Sequence, residues 1–307
     1  MAVLKEAIRS GSSGFSLINI DYLPRYQENQ HDLVVGLCQA NNLHVTQLVY
    51  DRQNPAGMGK AILEASMNCR RLFIDVSGMS RLLITQVLVE LAQEPRHYLS
   101  ASLFYTEAEI YPPTKQEFDE DCAQSQAAGR SVDSYISSGV HEVAITPELS
   151  SVAMHAQAIR LIVFPSFNRE QLVVLLQEIQ PAFVNLIDGL PPRQENIWRV
   201  KAIQQLNDSC VRSLAHDVEK GEVSTLDYRE TLNYLLQVYE RHGDSDKIVI
   251  APTGSKMQSV AVGLFRAFMR DIQIVYPTPQ TFSSPERHTQ GIRCIYRLDL
   301  APFASVT

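Results

Sequence analysis

Short runs rich in Ile, Val, Phe and Tyr recur along this chain, and each gives way to a segment with helical period. No other feature constrains the fold as tightly. A strand, a helix and a further strand in repetition build a mainly parallel sheet with helices on its faces. The runs are Phe15–Asp21, Val45–Asp51, Leu72–Val76, Ser100–Thr106, Leu161–Phe164, Val184–Asp188, Ile248–Ala251, Ile272–Tyr276 and Ile292–Leu300. Several are apolar at nearly every position, as strands covered on both faces are. Between them, Met257, Val260, Ala261, Leu264, Phe265 and Phe268 fall on one helical face. The expected fold class is therefore α/β: Rossmann-like, with mainly parallel sheets flanked by helices, in two related halves.

The rhythm breaks from Pro112 to Gly139, where the chain turns polar. This segment is the expected junction, dividing the chain into an N-terminal Rossmann-like half, residues 1–139, and a C-terminal one, residues 140–307. A second polar block, residues 193–243, is too long for one crossover helix. It reads as an insertion of two or three helices.

Composition removes several function classes. A net charge of −7 does not suit a broad nucleic-acid surface, which needs clustered Lys and Arg, though it leaves room for a local basic pocket. No apolar run reaches the roughly 18 residues that cross a bilayer, so no membrane contact is expected. The segment from Met1 to Ser13 does not read as a secretory signal, and a cytoplasmic location is expected. Cys38, Cys69, Cys122, Cys210 and Cys294 are scattered without a C-x-x-C pair, which suits reduced thiols and no structural metal. The eight histidines show no ligand spacing. Gly57-Met-Gly59 lacks the third glycine of a dinucleotide fingerprint, and no Walker A motif is present, so no cofactor is expected.

Two segments share a strand–turn–helix pattern. One reads Leu72-Phe-Ile-Asp-Val-Ser-Gly-Met-Ser-Arg81, the other Ile248-Val-Ile-Ala-Pro-Thr-Gly-Ser-Lys256. With a one-residue gap, Ser77-Gly78 matches Thr253-Gly254, and Ser80-Arg81 matches Ser255-Lys256. Such a turn suits an anion. Glycine permits close backbone approach, the helix start offers unpaired N–H groups and positive dipole, and Arg81 or Lys256 adds charge. Ligands of open α/β sheets collect along this carboxyl edge. The bland reading is that Ser77 and Thr253 are helix caps and the glycines merely make tight turns.

The turn Thr253-Gly-Ser-Lys-Met257 resembles the glycine-threonine-lysine turn of CRISPR-associated Rossmann-fold (CARF) domains, and Ser77 to Arg81 resembles it more faintly. Ser255 stands where that family pairs a second glycine before the lysine. The resemblance covers about fifteen residues. It implies a sensor of cyclic oligonucleotides or related nucleotides, commonly a homodimer, acting on an effector protein in antiviral defence. Thr253, Gly254, Ser255 and Lys256 would then bind phosphate or ribose, with Ser77, Gly78, Ser80 and Arg81 forming a related surface.

Two other readings stay open. In a hydrolase or transferase acting on a nucleotide or sugar phosphate, Asp75 or Glu107 would be the acid–base group and the turns would position phosphate. In an assembly subunit the turns would be caps alone, and a large apolar interface between chains would be expected.

Overall fold

The computed structural model describes residues 2–9, 15–24, 31–93, 100–128, 137–151, 157–282 and 289–300. In the N-terminal half, β1 (Ser16–Leu23) pairs in parallel with β2 (His44–Asp51), and β3 (Arg71–Asp75) pairs in parallel with β4 (Ser100–Glu107). The helices here are α1 (Ala2–Arg9), α2 (His31–Ala40), α3 (Met58–Ala65), α4 (Arg81–Gln93) and α5 (Lys115–Ala128). The C-terminal half is built on a parallel five-stranded sheet. Its strands are β6 (Ala158–Val163), β7 (Phe183–Leu190), β8 (Asp217–Ser224), β9 (Asp246–Ala251) and β10 (Gln273–Ile274), in the order β10-β9-β6-β7-β8. Helices α6 (Arg169–Ile179), α7 (Trp198–Leu214), α8 (Tyr228–His242) and α9 (Lys256–Phe268) connect them. The fold is Rossmann-like α/β.

Each apolar run of the sequence carries a strand, although Ile272–Tyr276 keeps only two residues in the parallel sheet. Three strands have no such run. β5 (Ser137–Ala144) pairs antiparallel with β11 (Tyr276–Phe282), and β8 pairs with β7 along its whole length. These strands are polar because each borders a sheet, where one side of the ladder and part of a face meet solvent. β11 even carries Pro277 and Pro279, which an interior strand would exclude. Residues 193–243 thus hold α7 and α8 with a strand between them. The segment Pro112 to Gly139 holds α5 and the start of β5; its residues 129–136 lie outside the described residues.

The last strand, β12 (Cys294–Leu300), returns to the other half. It runs antiparallel to β4, with Cys294 opposite Glu107 and Leu300 opposite Ala101. The N-terminal sheet is therefore completed by residues from beyond the C-terminal sheet.

The two halves meet along α4 and α9. Every residue of α4 from Leu82 to Val89 is buried, and α9 is buried from Met257 to Arg266. Leu83, Val87 and Leu88 pack into the N-terminal core with Val260 and Leu264, while Leu82 and Val89 join Val262 and Phe265 in the C-terminal core. At about 1.5–3 kcal/mol for each large apolar side chain removed from water, this seam is a main source of stability for the pair. Gly263 lets the helices approach: a Cβ there would lie 2.9 Å from Leu88 Cδ1 and 3.2 Å from the Thr85 Cα. Among the described residues, no helix is long and apolar enough to cross a membrane.

Candidate functional site

The duplicated segments fold as matching units. β3 leads through Ser77–Ser80 into α4 and on to the parallel strand β4; β9 leads through Pro252–Ser255 into α9 and on to the parallel strand β10. In the C-terminal sheet the chain proceeds from β6 to one side as β7 and β8, and to the other as β9 and β10. The order reverses between β6 and β9. The Thr253-Gly254 turn leaves β9 at that switch point, the usual place for a ligand crevice.

Each turn is held by its own side chains. Ser255 caps α9 through a capping box. Its hydroxyl accepts from the Gln258 N–H at 3.1 Å, and the Gln258 side-chain oxygen accepts from the Ser255 N–H at 2.7 Å. The Ser255 hydroxyl also donates to the Thr225 carbonyl at 2.6 Å, past the end of β8. Thr253 is buried, and its hydroxyl donates to the Phe164 carbonyl at 2.7 Å, closing the gap between β9 and β6. Ser80 accepts from the Leu83 N–H at 3.2 Å and so caps α4, while its own N–H donates to the Tyr22 hydroxyl at 2.9 Å. The Ser77 hydroxyl donates to Asp75 at 2.6 Å and accepts from the Thr106 N–H at 2.8 Å, tying β3 to β4. The capping reading thus describes the hydroxyls well.

The glycines differ. A Cβ on Gly78 would meet nothing within 4 Å, and the residue is exposed. A Cβ on Gly254 would collide with the Gln258 side chain and lie 2.8 Å from Phe164 Cβ. Close approach at Gly254 therefore serves packing within the protein, whereas the backbone at Gly78 faces open space.

The basic residues provide what the spacing alone did not show. Arg81 extends from the start of α4 and donates through Nε to the Gly254 carbonyl. Lys256 extends from the start of α9 and donates through Nζ to the Met79 carbonyl at 2.5 Å. Each turn thus lends its cation to the backbone of the other, and the two helix starts and two positive charges are brought together. Arg81 and Lys256 are both partly buried, and among the described residues neither forms an ion pair with a carboxylate. Burial and the nearby Arg81 bring Lys256 down from the usual 10.5 to about 7; Asp75 pulls in the opposite direction.

The two candidate acids belong to separate networks. Asp75 accepts from the Ser77 N–H at 3.0 Å as well as from its hydroxyl. Glu107, buried at the end of β4, pairs with Arg193 Nε at 3.2 Å and accepts from the Tyr296 hydroxyl at 3.0 Å. Arg193 also donates to the carbonyls of Ala108 and Glu109, and Arg199 to those of Tyr111, Pro112 and Pro113. Arg193, in the loop after β7, and Arg199, at the start of α7, therefore clamp the segment after β4. Trp198 packs with Phe118 and Phe167, as an interior aromatic would.

Sequence reasoning overlooked Met79, Gln258, Thr225 and the tyrosines Tyr22 and Tyr50 beside Ser80. Only Gln258 carried a readable signal, since Ser255 with Gln three positions on is a capping signature.

No family model and no curated protein matches the chain. Among solved structures, it is similar to Can2 from Sulfobacillus thermosulfidooxidans in complex with cyclic tetra-adenylate. The two are 19% identical over 38% of this chain and 31% of that one, with a TM-score of 0.28. Csm6 from Enterococcus italicus, bound to cyclic hexa-2'-fluoro-hexa-dAMP, is 15% identical over 43% of this chain and 36% of its own, also at 0.28. The cytoplasmic domain of a prokaryotic cation chloride cotransporter is 7% identical over 90% of both chains, with a TM-score of 0.24. The chain thus spans about a third of the length of the first two. Likeness this loose assigns no ligand to it.

Proposed function

We propose that this chain binds a phosphate-bearing small ligand of the nucleotide type, captured between the two turns at the start of α4 and α9. One observation carries the reading: Arg81 and Lys256 converge from opposite halves with no carboxylate paired to either among the described residues. Two partly buried cations held this close repel one another. An anion placed beside them removes that repulsion and collects first-turn amides from both helices. The exposed backbone at Gly78 leaves an approach open. The likeness of Thr253-Gly-Ser-Lys256 to the turn of ligand-sensing CARF domains agrees with this reading.

In this proposal the site is composite. A homodimer of single halves would supply one turn from each partner; here one chain supplies both, and one ligand per chain is expected. Arg81, Lys256, Gly78 and the amides of the helix starts touch the ligand, while Ser77, Ser80, Thr253, Gly254 and Ser255 hold the turns in register. The engagement of Asp75 with Ser77, and of Glu107 with Arg193 and Tyr296, favours binding over acid–base chemistry.

Calorimetry with cyclic tetra-adenylate, ATP and sulfate tests this on the wild type and on Arg81→Met and Lys256→Met. Loss of one charge-assisted contact predicts about a tenfold or greater fall in affinity for each variant, with folding checked by circular dichroism. Unchanged affinity in both variants would sink the proposal.

A further inference from the structure

We propose that anion capture between the turns is coupled to proton uptake at Lys256, because Arg81 and Lys256 converge from the two helix starts and a ligand's negative charge offsets their repulsion. The inference rests on the composite anion site and concerns its regulation.

The geometry supplies each part of the coupling. The hydrogen bond from Lys256 Nζ ends on the Met79 carbonyl, a neutral acceptor that brings no full negative charge to the ammonium. The Arg81 guanidinium arrives from α4 and stays charged throughout, so it acts as a fixed positive neighbour. The acid bearing on Lys256 is Asp75 at the end of β3, already engaged by the Ser77 N–H and hydroxyl. Tyr22 and Tyr50, which face Ser80, are both pushed above the usual phenol range by burial, Tyr22 to about 12, and remain neutral. Met79 and Met257 belong to the apolar cluster that lines this end of the seam, together with Leu226 and Tyr228. Desolvation therefore leads, Arg81 adds to it, and Asp75 offsets only part, leaving Lys256 at about 7.

An arriving anion reverses the balance, because an opposite charge nearby favours the ammonium form. The complex then binds more protons than the free protein, so affinity falls as pH rises above neutrality. The site is receptive near neutral pH and weaker in alkaline conditions.

Two measurements on the full chain test the coupling. The first is an NMR pH titration of the lysine side-chain carbons, with Lys256 assigned by its absence in Lys256→Arg. The expected midpoint is near 7 in the free protein, and higher by about one unit or more in saturating sulfate or cyclic tetra-adenylate. The second is calorimetry of cyclic tetra-adenylate, whose phosphodiesters do not titrate in this range, in two buffers of different ionisation heat. At about pH 7.5 the wild type is expected to take up roughly half to three-quarters of a proton per site. Lys256→Arg, which keeps the charge without titrating, is expected to bind with no uptake. A free-state midpoint near the usual lysine value, or one that ligand does not move, overturns the coupling and leaves the anion site standing. If neither probe binds at all, the site reading falls and the coupling falls with it.

Discussion

Ser255 does three jobs with one hydroxyl-bearing residue, so its removal has a readable cost. Ser255→Ala deletes the cap on α9 and leaves the Thr225 carbonyl without its donor. A loss of about 1–2 kcal/mol in a denaturant melt is expected. Thr253→Val keeps the shape but strips the donor from the buried Phe164 carbonyl, at a similar expected cost of about 1–3 kcal/mol. A variant at either position that melts like the wild type contradicts the hydrogen bonds of Ser255 with Gln258 and Thr225 or that of Thr253 with Phe164. Lys256 behaves differently, because its effect depends on pH. Folded, it binds its proton less tightly than in the unfolded chain, with a midpoint of about 7 against 10.5. Between those values the unfolded state holds more protons, so this residue makes stability rise with pH across that window. Lys256→Met is expected to lack this rise. Melts near neutrality and again at about pH 9.5 should show the gap between wild type and variant shifting in the wild type's favour as pH climbs.

Among the elements, α4 and α9 bear the closest tolerance. Gly263→Val would push a branched side chain into Leu88 and the backbone at Thr85. Overpacking of this kind costs about 1–3 kcal/mol, and valine recovers little of it through helix propensity. A lowered melting temperature with the secondary structure intact is the expected result. The seam itself was only half legible in the sequence. The stripe from Met257 to Phe268 announces a helix with one apolar face, but α9 is buried on more than that face because a second helix of the other half lies against it. The same limit explains the strands. Leu161–Phe164 and Ile248–Ala251 are apolar throughout and can be read by eye. Asp217–Ser224 contains Asp, Glu, Lys and Gly, and becomes a strand because β7 offers it a full ladder of hydrogen bonds. Strand, glycine and helix start follow one another locally, so both turns could be found from spacing. Their crossing could not: Arg81 and the Gly254 carbonyl are 173 positions apart.

At the scale of the whole molecule, the halves are joined by more than the helical seam. β12 completes the N-terminal sheet, and the Arg193 and Arg199 clamps fasten the loop after β7 and the start of α7 to the segment after β4. Removing residues 291–307 should therefore disturb the distant half more than the near one. Hydrogen exchange of such a truncated chain is expected to quicken along β4 while β6 and β7 stay protected; uniform protection would contradict the pairing. That return of the chain also orders the events of synthesis. All five strands of the C-terminal sheet have been made by Ile274, but β4 must wait until Leu300 for its antiparallel neighbour. The first-made half is thus the last to be finished, and until then its open edge depends on whatever shields a nascent chain.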